Sequence, residues 1–366
     1  MFRGWICNSR IETRQRRTID KQQRKKKKIY RRIFLLLPVG VAINLTLSLL
    51  FTDSFHTNDF ANFAPGYFLL TIALIGVPWL TKSLRLANWI QLTHRQLSFR
   101  EIFRITVASD LGAAISPTAI GGGPIKAAML SRRKFSVGES VSLMSVMPVE
   151  DIVFFLIALP VALFISPTLG VNSLPDLELN LQKILFWVGV GIAGIGAIGF
   201  IAARIFSETR VVKKIRGWLR EFWTDFFAAY DLMIRRGKLR FAGNLCIAGI
   251  QWTARYAIVP LLLYSLGHPV NFLQFFILYW MLASLASFVP TPGATGAAEG
   301  AFLLVFGQFI PSATLGLAMI GWRFLSFYFL NIAGIVVLTI LEIADRKKRP
   351  APQTEPGPEP AEVEAA

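Results

Sequence analysis

The stretch SPTAIGGGPIK, residues 116–126, decides how this chain is built. Two prolines and three consecutive glycines interrupt a patchily apolar segment, 105–130, so no undisturbed α-helix can run through it. Both flanks are basic: Arg100 and Arg104 stand before the break, and Arg132, Arg133 and Lys134 follow the segment. Lys and Arg mark the cytoplasmic flanks of membrane helices, so a broken segment that is basic at both ends enters and leaves on one side. It reads as a re-entrant hairpin rather than a crossing, because irregular backbone at membrane depth survives only where protein or a cavity covers it.

The chain around this hairpin is that of a membrane protein. Its 366 residues are 54% apolar, with a mean hydropathy of +0.51, above the roughly 45–50% of soluble domains. Apolar runs at 33–51, 68–80, 152–165, 184–203 and 324–341 approach or exceed the roughly 18–20 residues a helix needs to cross a bilayer once flanks are included. The net charge of +17 would point to nucleic acid in a soluble protein, but its placement does not. Residues 1–32 hold thirteen Lys or Arg against Glu12 and Asp20 and end where the first apolar run starts. Such an arm is a cytoplasmic flank with an affinity for anionic lipid headgroups, and no nucleic-acid partner is expected. Cys7 and Cys246 imply no disulfide framework, and His56, His94 and His268 are scattered, so neither a metal site nor a cofactor is expected. The first run follows thirty polar residues and should remain attached as a span.

Charge placement then orders the segments. With the N-terminus inside, a first span at about 33–52 leads out to a loop, 53–63, that has no Lys or Arg, and a second at about 64–84 returns to Lys82, Arg85 and Arg95. Arg85, near the inner end of that span, is expected to snorkel to the cytoplasmic surface. After the hairpin, Ser136 and Glu139 form a capping-box start for a span reaching about residue 166. A span at about 184–203 returns inside to residues 204–240, with ten Lys or Arg. There Val211, Ile215, Trp218, Phe222, Phe226 and Met233 recur near helical spacing opposite Lys214, Arg216 and Arg220. This is a helix over about 209–236, lying in the interface or packed on the membrane domain. A span at about 241–266 goes out, and residues 265–315 contain no Lys or Arg. Pro290, Pro292, Gly293 and Gly296 break an apolar run there, forming a second hairpin entered from outside. A last span, about 313–342, ends at Arg346, Lys347, Lys348 and Arg349.

The expected fold is therefore all-α: six transmembrane helices plus two re-entrant broken hairpins, eight hydrophobic segments in all. A basic arm (1–32) precedes the membrane domain (33–345), and a disordered Pro- and Glu-rich tail (346–366) follows it. Both termini are expected in the cytoplasm, with the chain in the inner membrane.

The two halves, about 33–166 and 184–342, have the same order of segments and opposite starting sides. One offset relates them: Pro117 and Pro290, Lys126 and Glu299, and Glu150 and Arg323 are each 173 residues apart. Inverted repeats with broken helices at matching places point to a transport site near the midplane between them. Charges at that depth are costly, about 2.5–3.5 kcal/mol each, and persist where they pair or line a cavity. Glu150 and Arg323 each lie about 16 Å into the membrane along their helices, from opposite sides. The candidate substrate-binding residues are Lys126, Glu150, Asp151, Arg255, Glu299 and Arg323; none is read as catalytic. The alternative is a set of structural ion pairs, Glu150 with Arg323 for example, holding the halves together. Gly121, Gly122 and Gly123 before Pro124, and Gly293 and Gly296 before the second arm, would let a lipid phosphate approach exposed N–H groups at helix starts. Asp110 is a further candidate for lining the first hairpin.

Ser116-Pro117-Thr118 with residues 121–124, the pair Glu150-Asp151, the run Pro290-Thr291-Pro292-Gly293 leading to Glu299, and Arg323 in the last span together resemble the lysylphosphatidylglycerol synthase membrane-region family. That family is also described as flippase-like, and the resemblance covers about residues 30–345. A Gly often expected after Pro-Thr-Pro-Gly is Ala294 here. In two-part members the membrane region precedes a cytoplasmic aminoacyl-transfer domain; this chain stops at its acidic tail, so synthase activity is not expected. The resemblance implies a flippase or transporter for a phospholipid or lipid-linked substrate. Arg255 and Arg323 would hold phosphate, and Glu150, Asp151 or Glu299 a cationic group or a proton. Two other readings stay open: an intramembrane transferase acting on polyprenyl-linked sugars, and a non-transporting scaffold for a separate lipid-biosynthesis enzyme. Against the transferase, adjacent Glu150 and Asp151 lie about 100° apart on a helix, and no spaced acidic motif for Mg²⁺ appears.

Overall fold

A computed structural model of the chain describes residues 63–93, 95–116, 121–165, 210–287 and 293–347. The basic arm, the spans expected at 33–52 and 184–203, Pro117, Pro290, Pro292 and most of the acidic tail lie outside the described residues. Every regular element among the described residues is helical: α1 (Pro65–Ile75), α2 (Val77–Ile90), α3 (Phe99–Ala114), α4 (Gly122–Ser131), α5 (Val137–Ile165), α6 (Arg210–Arg236), α7 (Lys238–Tyr256), α8 (Ile258–Ser265), α9 (Phe272–Ser287), α10 (Ala297–Phe306), α11 (Ser312–Arg323) and α12 (Leu330–Lys347). A π-helical turn, Phe324–Phe329, joins the last two.

Among the described residues, four stretches are long and apolar enough to cross a membrane: Pro65–Ile90 (α1–α2), Val137–Ala158 in α5, Lys238–Ser265 (α7–α8) and Thr314–Asp345 (α11–α12). Their outward faces are apolar. On α12, Ile332, Val336, Ile340 and Ile343 recur every three or four residues, and each is about half exposed. Leu156 and Phe164 of α5 are 69% and 87% exposed. Water would penalise such a surface, whereas lipid tails cover it at no cost. The protein is a multi-pass membrane protein.

Between these spans lie two helical pairs that fold back on themselves, α3 against α4 and α9 against α10. With ten residues each, α4 and α10 extend about 15 Å, half of a hydrocarbon core of about 30 Å. The ends of the α3–α4 pair are tied to one end of the bundle. Ser98 and Glu101 form a capping box on α3, and Ser136 and Glu139 exchange the same two hydrogen bonds at the start of α5. Arg95 bridges to Glu139 at 3.0 Å, Arg133 to Glu101 at 2.5 Å and Arg100 to Asp345 at 3.1 Å, and Arg104 also pairs with Asp345. The ends of α9–α10 gather at the other end, where the Ala64 N–H donates to the Ser265 carbonyl (2.8 Å) and Thr314 meets His268 (2.9 Å).

Helix starts recur at a nearly fixed spacing. Pro65 and Lys238 are 173 residues apart (238 − 65), as are Phe99 and Phe272 (272 − 99); Gly122 and Ala297 (297 − 122), and Val137 and Ser312 (312 − 137), are 175 apart. Two of these pairs keep the 173-residue spacing of the three sequence features, and two depart from it by two residues.

The helix α6 packs on the membrane domain, one of the two placements its sequence allowed. Its inner face, with Phe222, Phe226 and Met233, packs on the start of α5, so closely that a Cβ on Gly138 would lie 2.5 Å from the Phe222 carbonyl oxygen. Its other apolar edge, with Leu219, Trp223, Phe227 and Ile234, stays exposed.

Candidate functional site: a charged cavity between the two halves

Among the described residues, two buried charge clusters and an open cavity occupy the middle of the bundle. The first cluster centres on Arg85, which is fully buried. The span begun at α1 runs to Ile90, beyond the expected end near 84, and carries Arg85 inward instead of to the surface. Its Nε donates to Glu150 Oε2 (2.8 Å), its Nη1 to Asp151 Oδ1 (2.8 Å) and Gln251 Oε1 (3.1 Å), and its Nη2 to the Met147 carbonyl (2.9 Å). Glu150, equally buried, accepts two further hydrogen bonds on Oε1, from Trp89 Nε1 and Asn244 Nδ2, both 2.7 Å. Trp252 Nε1 donates to Asp151 at 2.9 Å. The cluster binds α2, α5 and α7 together. Its hydrogen bonds run across all three helices, so the cluster holds the fold together.

The second cluster corrects the other expected pairing. Arg323 does not meet Glu150; its Nε lies 2.9 Å from Glu299 Oε1, both side chains being 5% exposed or less. The N–H direction does not follow that line, so the contact is an ion pair rather than a hydrogen bond. Glu299 Oε2 accepts from the Gly296 N–H at 2.7 Å, capping α10, while Arg323 Nη2 donates to the Gly293 carbonyl at 2.8 Å. The Arg323 guanidinium also lies 4.4 Å over the Phe327 ring. The turn before α10 explains the motif: Gly293, Ala294 and Gly296 have φ of 61°, 53° and 85°. Ala294 thus occupies a left-handed position where glycine costs less, which is why glycine would be the expected residue. Any Cβ at Gly293 would stand 2.3 Å from the Phe327 ring.

The glycines of the first hairpin serve a close approach of two helices. A Cβ on Gly121 would fall 2.6 Å from the Gly112 carbonyl oxygen and one on Gly122 2.8 Å from that of Ser109. Ser116 Oγ accepts from the Gly121 N–H (2.7 Å) and Ser109 Oγ donates to the Gly122 carbonyl (3.0 Å). These glycines let α3 and α4 touch backbone to backbone, and Gly123 faces Met144.

A cavity of about 440 Å³ opens between the N-terminal helices and the C-terminal ones. Trp79, Lys82 and Asp110 line it from one side, and Trp252, Arg255, Tyr279, Ala283, Gly293, Trp322, Arg323 and Phe327 from the other. Of the expected binding residues, Arg255, Arg323 and Gly293 therefore face it. Lys126, Glu150, Asp151, Glu299 and residues 121–124 are not among its lining. Lys82 holds both oxygens of Asp110, at 3.0 and 2.8 Å. Arg255 makes no ion pair among the described residues and lies 5.7 Å from the Trp252 ring centre.

Lys82, counted in the sequence as part of a cytoplasmic flank, and Trp79 were the missed members. A signal for them exists. Trp79-Leu-Thr-Lys82 and Trp252-Thr-Ala-Arg255 repeat one pattern, Trp-x-x-cation, and 252 − 79 and 255 − 82 both equal 173. Both copies line the one cavity.

The profile of the family described as the lysylphosphatidylglycerol synthase TM region matches residues 34–334, most of the chain. The chain belongs to that family. A curated relative, a UPF0104 membrane protein of Archaeoglobus fulgidus, is 26% identical over 304 residues, 79% of this chain and 92% of that protein. The family match spans the charged clusters and the cavity alike.

Proposed function

We propose that this chain is a translocator of a phospholipid or lipid-linked headgroup in the cytoplasmic membrane, non-enzymatic, with both termini inside and its substrate site in the cavity between two inverted repeats. The observation that carries this reading is the cavity itself. Its volume of about 440 Å³ falls within the range of small-ligand sites, its walls come from both halves, and they offer three cations and one carboxylate. Arg255 there has no acid partner among the described residues, a costly state in a membrane interior that a phosphate would relieve. Trp79 adds a buried indole N–H without an acceptor among the described residues, a donor for a ligand oxygen.

The inverted-repeat part of the reading rests on the recurring helix starts and on the two hairpins, which are anchored at opposite ends of the bundle. The π-helical turn directly after Arg323 is the kind of irregularity that accompanies functional sites. Orientation rests on Arg95, Arg100, Arg104 and Arg133 gathering at one end, which the positive-inside rule assigns to the cytoplasm. The non-enzymatic part rests on the lining chemistry, whose one carboxylate, Asp110, is occupied on both oxygens by Lys82.

Reconstitution tests it. Purified protein in liposomes carrying a headgroup-labelled phospholipid is expected to expose inner-leaflet label to an external quencher, and Arg255→Ala to slow that exposure at least tenfold. Wild-type vesicles that behave as empty ones would refute the reading.

A further inference from the structure

The two halves differ at one position in a way that fixes the cavity's charge. Lys82 and Arg255 are equivalent by the 173-residue offset, and so are Asp110 on α3 and Ala283 on α9 (283 − 110). All four line the cavity. In the N-terminal half the cation is covered by its neighbour's carboxylate; in the C-terminal half the matching neighbour is a methyl group. We infer that Asp110 masks Lys82 while Ala283 leaves Arg255 open, so that the site selects a headgroup carrying one negative charge, a phosphodiester, over a diphosphate.

The charges around the cavity support this count. Lys82 is matched by Asp110 and Arg323 by Glu299. Arg85, beside the cavity, is paired with both Glu150 and Asp151. Of the three cations that line the cavity, Lys82 and Arg323 are thus each paired with a carboxylate, and Arg255 has no ion pair among the described residues. A ligand with a single negative charge neutralises the site. A second charge would find its cation only by displacing Asp110 from Lys82, which sets two negative groups side by side in the cavity. The side chains of Lys82 and Asp110 are 20% and 28% exposed, so the pair is reachable from the cavity and its masking is electrostatic rather than steric.

The inference rests on the headgroup reading above, and the experiment separates the two. Full-length protein in detergent is titrated with dioctanoyl phosphatidylglycerol and with dioctanoylglycerol pyrophosphate, which share their tails and differ in phosphate charge, and bound lipid is read by native mass spectrometry. Wild type is expected to bind the phosphodiester at least fivefold more tightly. Asp110→Asn, nearly isosteric, is expected to shift the ratio at least tenfold toward the pyrophosphate, and Asp110→Glu to restore it. Ala283→Asp is expected to weaken both lipids at least tenfold by masking Arg255 in the same manner. An unchanged ratio in a monodisperse Asp110→Asn protein, or a wild type that prefers pyrophosphate, overturns the inference while Arg255-dependent binding keeps the headgroup site intact. Failure of both lipids to bind wild type above the Arg255→Ala background sinks the headgroup reading itself.

Discussion

Removing the Glu150 carboxylate is the most direct way to ask what the buried Arg85 cluster contributes. Glu150→Ala takes away the acceptor for three buried donors, Arg85 Nε, Trp89 Nε1 and Asn244 Nδ2. Breaking a buried pair by deleting one partner costs about 3–5 kcal/mol, because the remaining charge is stranded. Arg85 keeps Asp151, Gln251 and the Met147 carbonyl, which places the expected loss near the lower bound, about 3 kcal/mol. At roughly 2–4 °C per kcal/mol for larger domains, the midpoint of thermal unfolding in detergent should fall by about 6–12 °C. Glu150→Gln retains an acceptor for Trp89 and Asn244 and should fall in between. The internal control is Asp110→Ala, which breaks a partly exposed pair worth about 1 kcal/mol or less. Midpoints for Glu150→Ala and Asp110→Ala that agree within error, at one scan rate, would refute the claim that the Arg85 cluster braces α2, α5 and α7.

Three further outcomes follow from local geometry. Gly293→Ala forces a side chain onto the Phe327 ring at φ of 61°, whereas Ala294→Gly relieves a left-handed alanine. The first should lower the unfolding midpoint and the second raise stability by about 1 kcal/mol, and a drop in both would contradict the turn geometry. Gly138→Val should lift α6 from α5, since even a Cβ there meets the Phe222–Phe226 backbone. Faster trypsin cleavage within residues 210–240, with α7 still protected, is the expected readout, and an unchanged cleavage rate counts against the close packing. Arg255→Ala removes a side chain with no ion pair among the described residues and should leave the midpoint within about 2 °C of wild type while lowering phosphatidylglycerol binding; a large loss of stability would mean that Arg255 is structural.

What the sequence made legible follows from the physics that each feature obeys. The hairpin around residues 116–126 stood out because proline and glycine break helices locally and because lysine and arginine report which side of a membrane they face. Neither signal needs tertiary knowledge. Arg85 and Lys82 were misplaced because a cation near a span's end looks the same whether it snorkels or turns inward; only the helix continuing to Ile90, and the acids contributed by α3 and α5, distinguish the two. Pairing was illegible for a related reason. Glu150 and Arg323 share the 173-residue offset, but equivalent positions of a repeat touch only if they lie on the axis between the copies. Each found its partner elsewhere, Arg85 for one and Glu299 for the other. The glycines at 121 and 122 announced a close approach without saying to what, and in the structure the backbone of the facing helix α3 comes against them.

On the proposed repeat, the same comparison points to where the two halves would differ toward a ligand. Trp79 and Trp252, and Lys82 and Arg255, keep their chemistry across the offset and face one cavity, which makes the site roughly two-sided. Lys126 against Glu299 and Asp110 against Ala283 reverse or remove a charge. Two identical halves would present the same potential to a headgroup from either side, and a ligand would have no reason to lodge against one wall over the other. Sign changes at matched positions break that degeneracy while leaving helix lengths and hairpin geometry alone. The departures from repeat symmetry, more than the residues that obey it, are therefore where substitutions should alter what is bound without altering whether the protein folds.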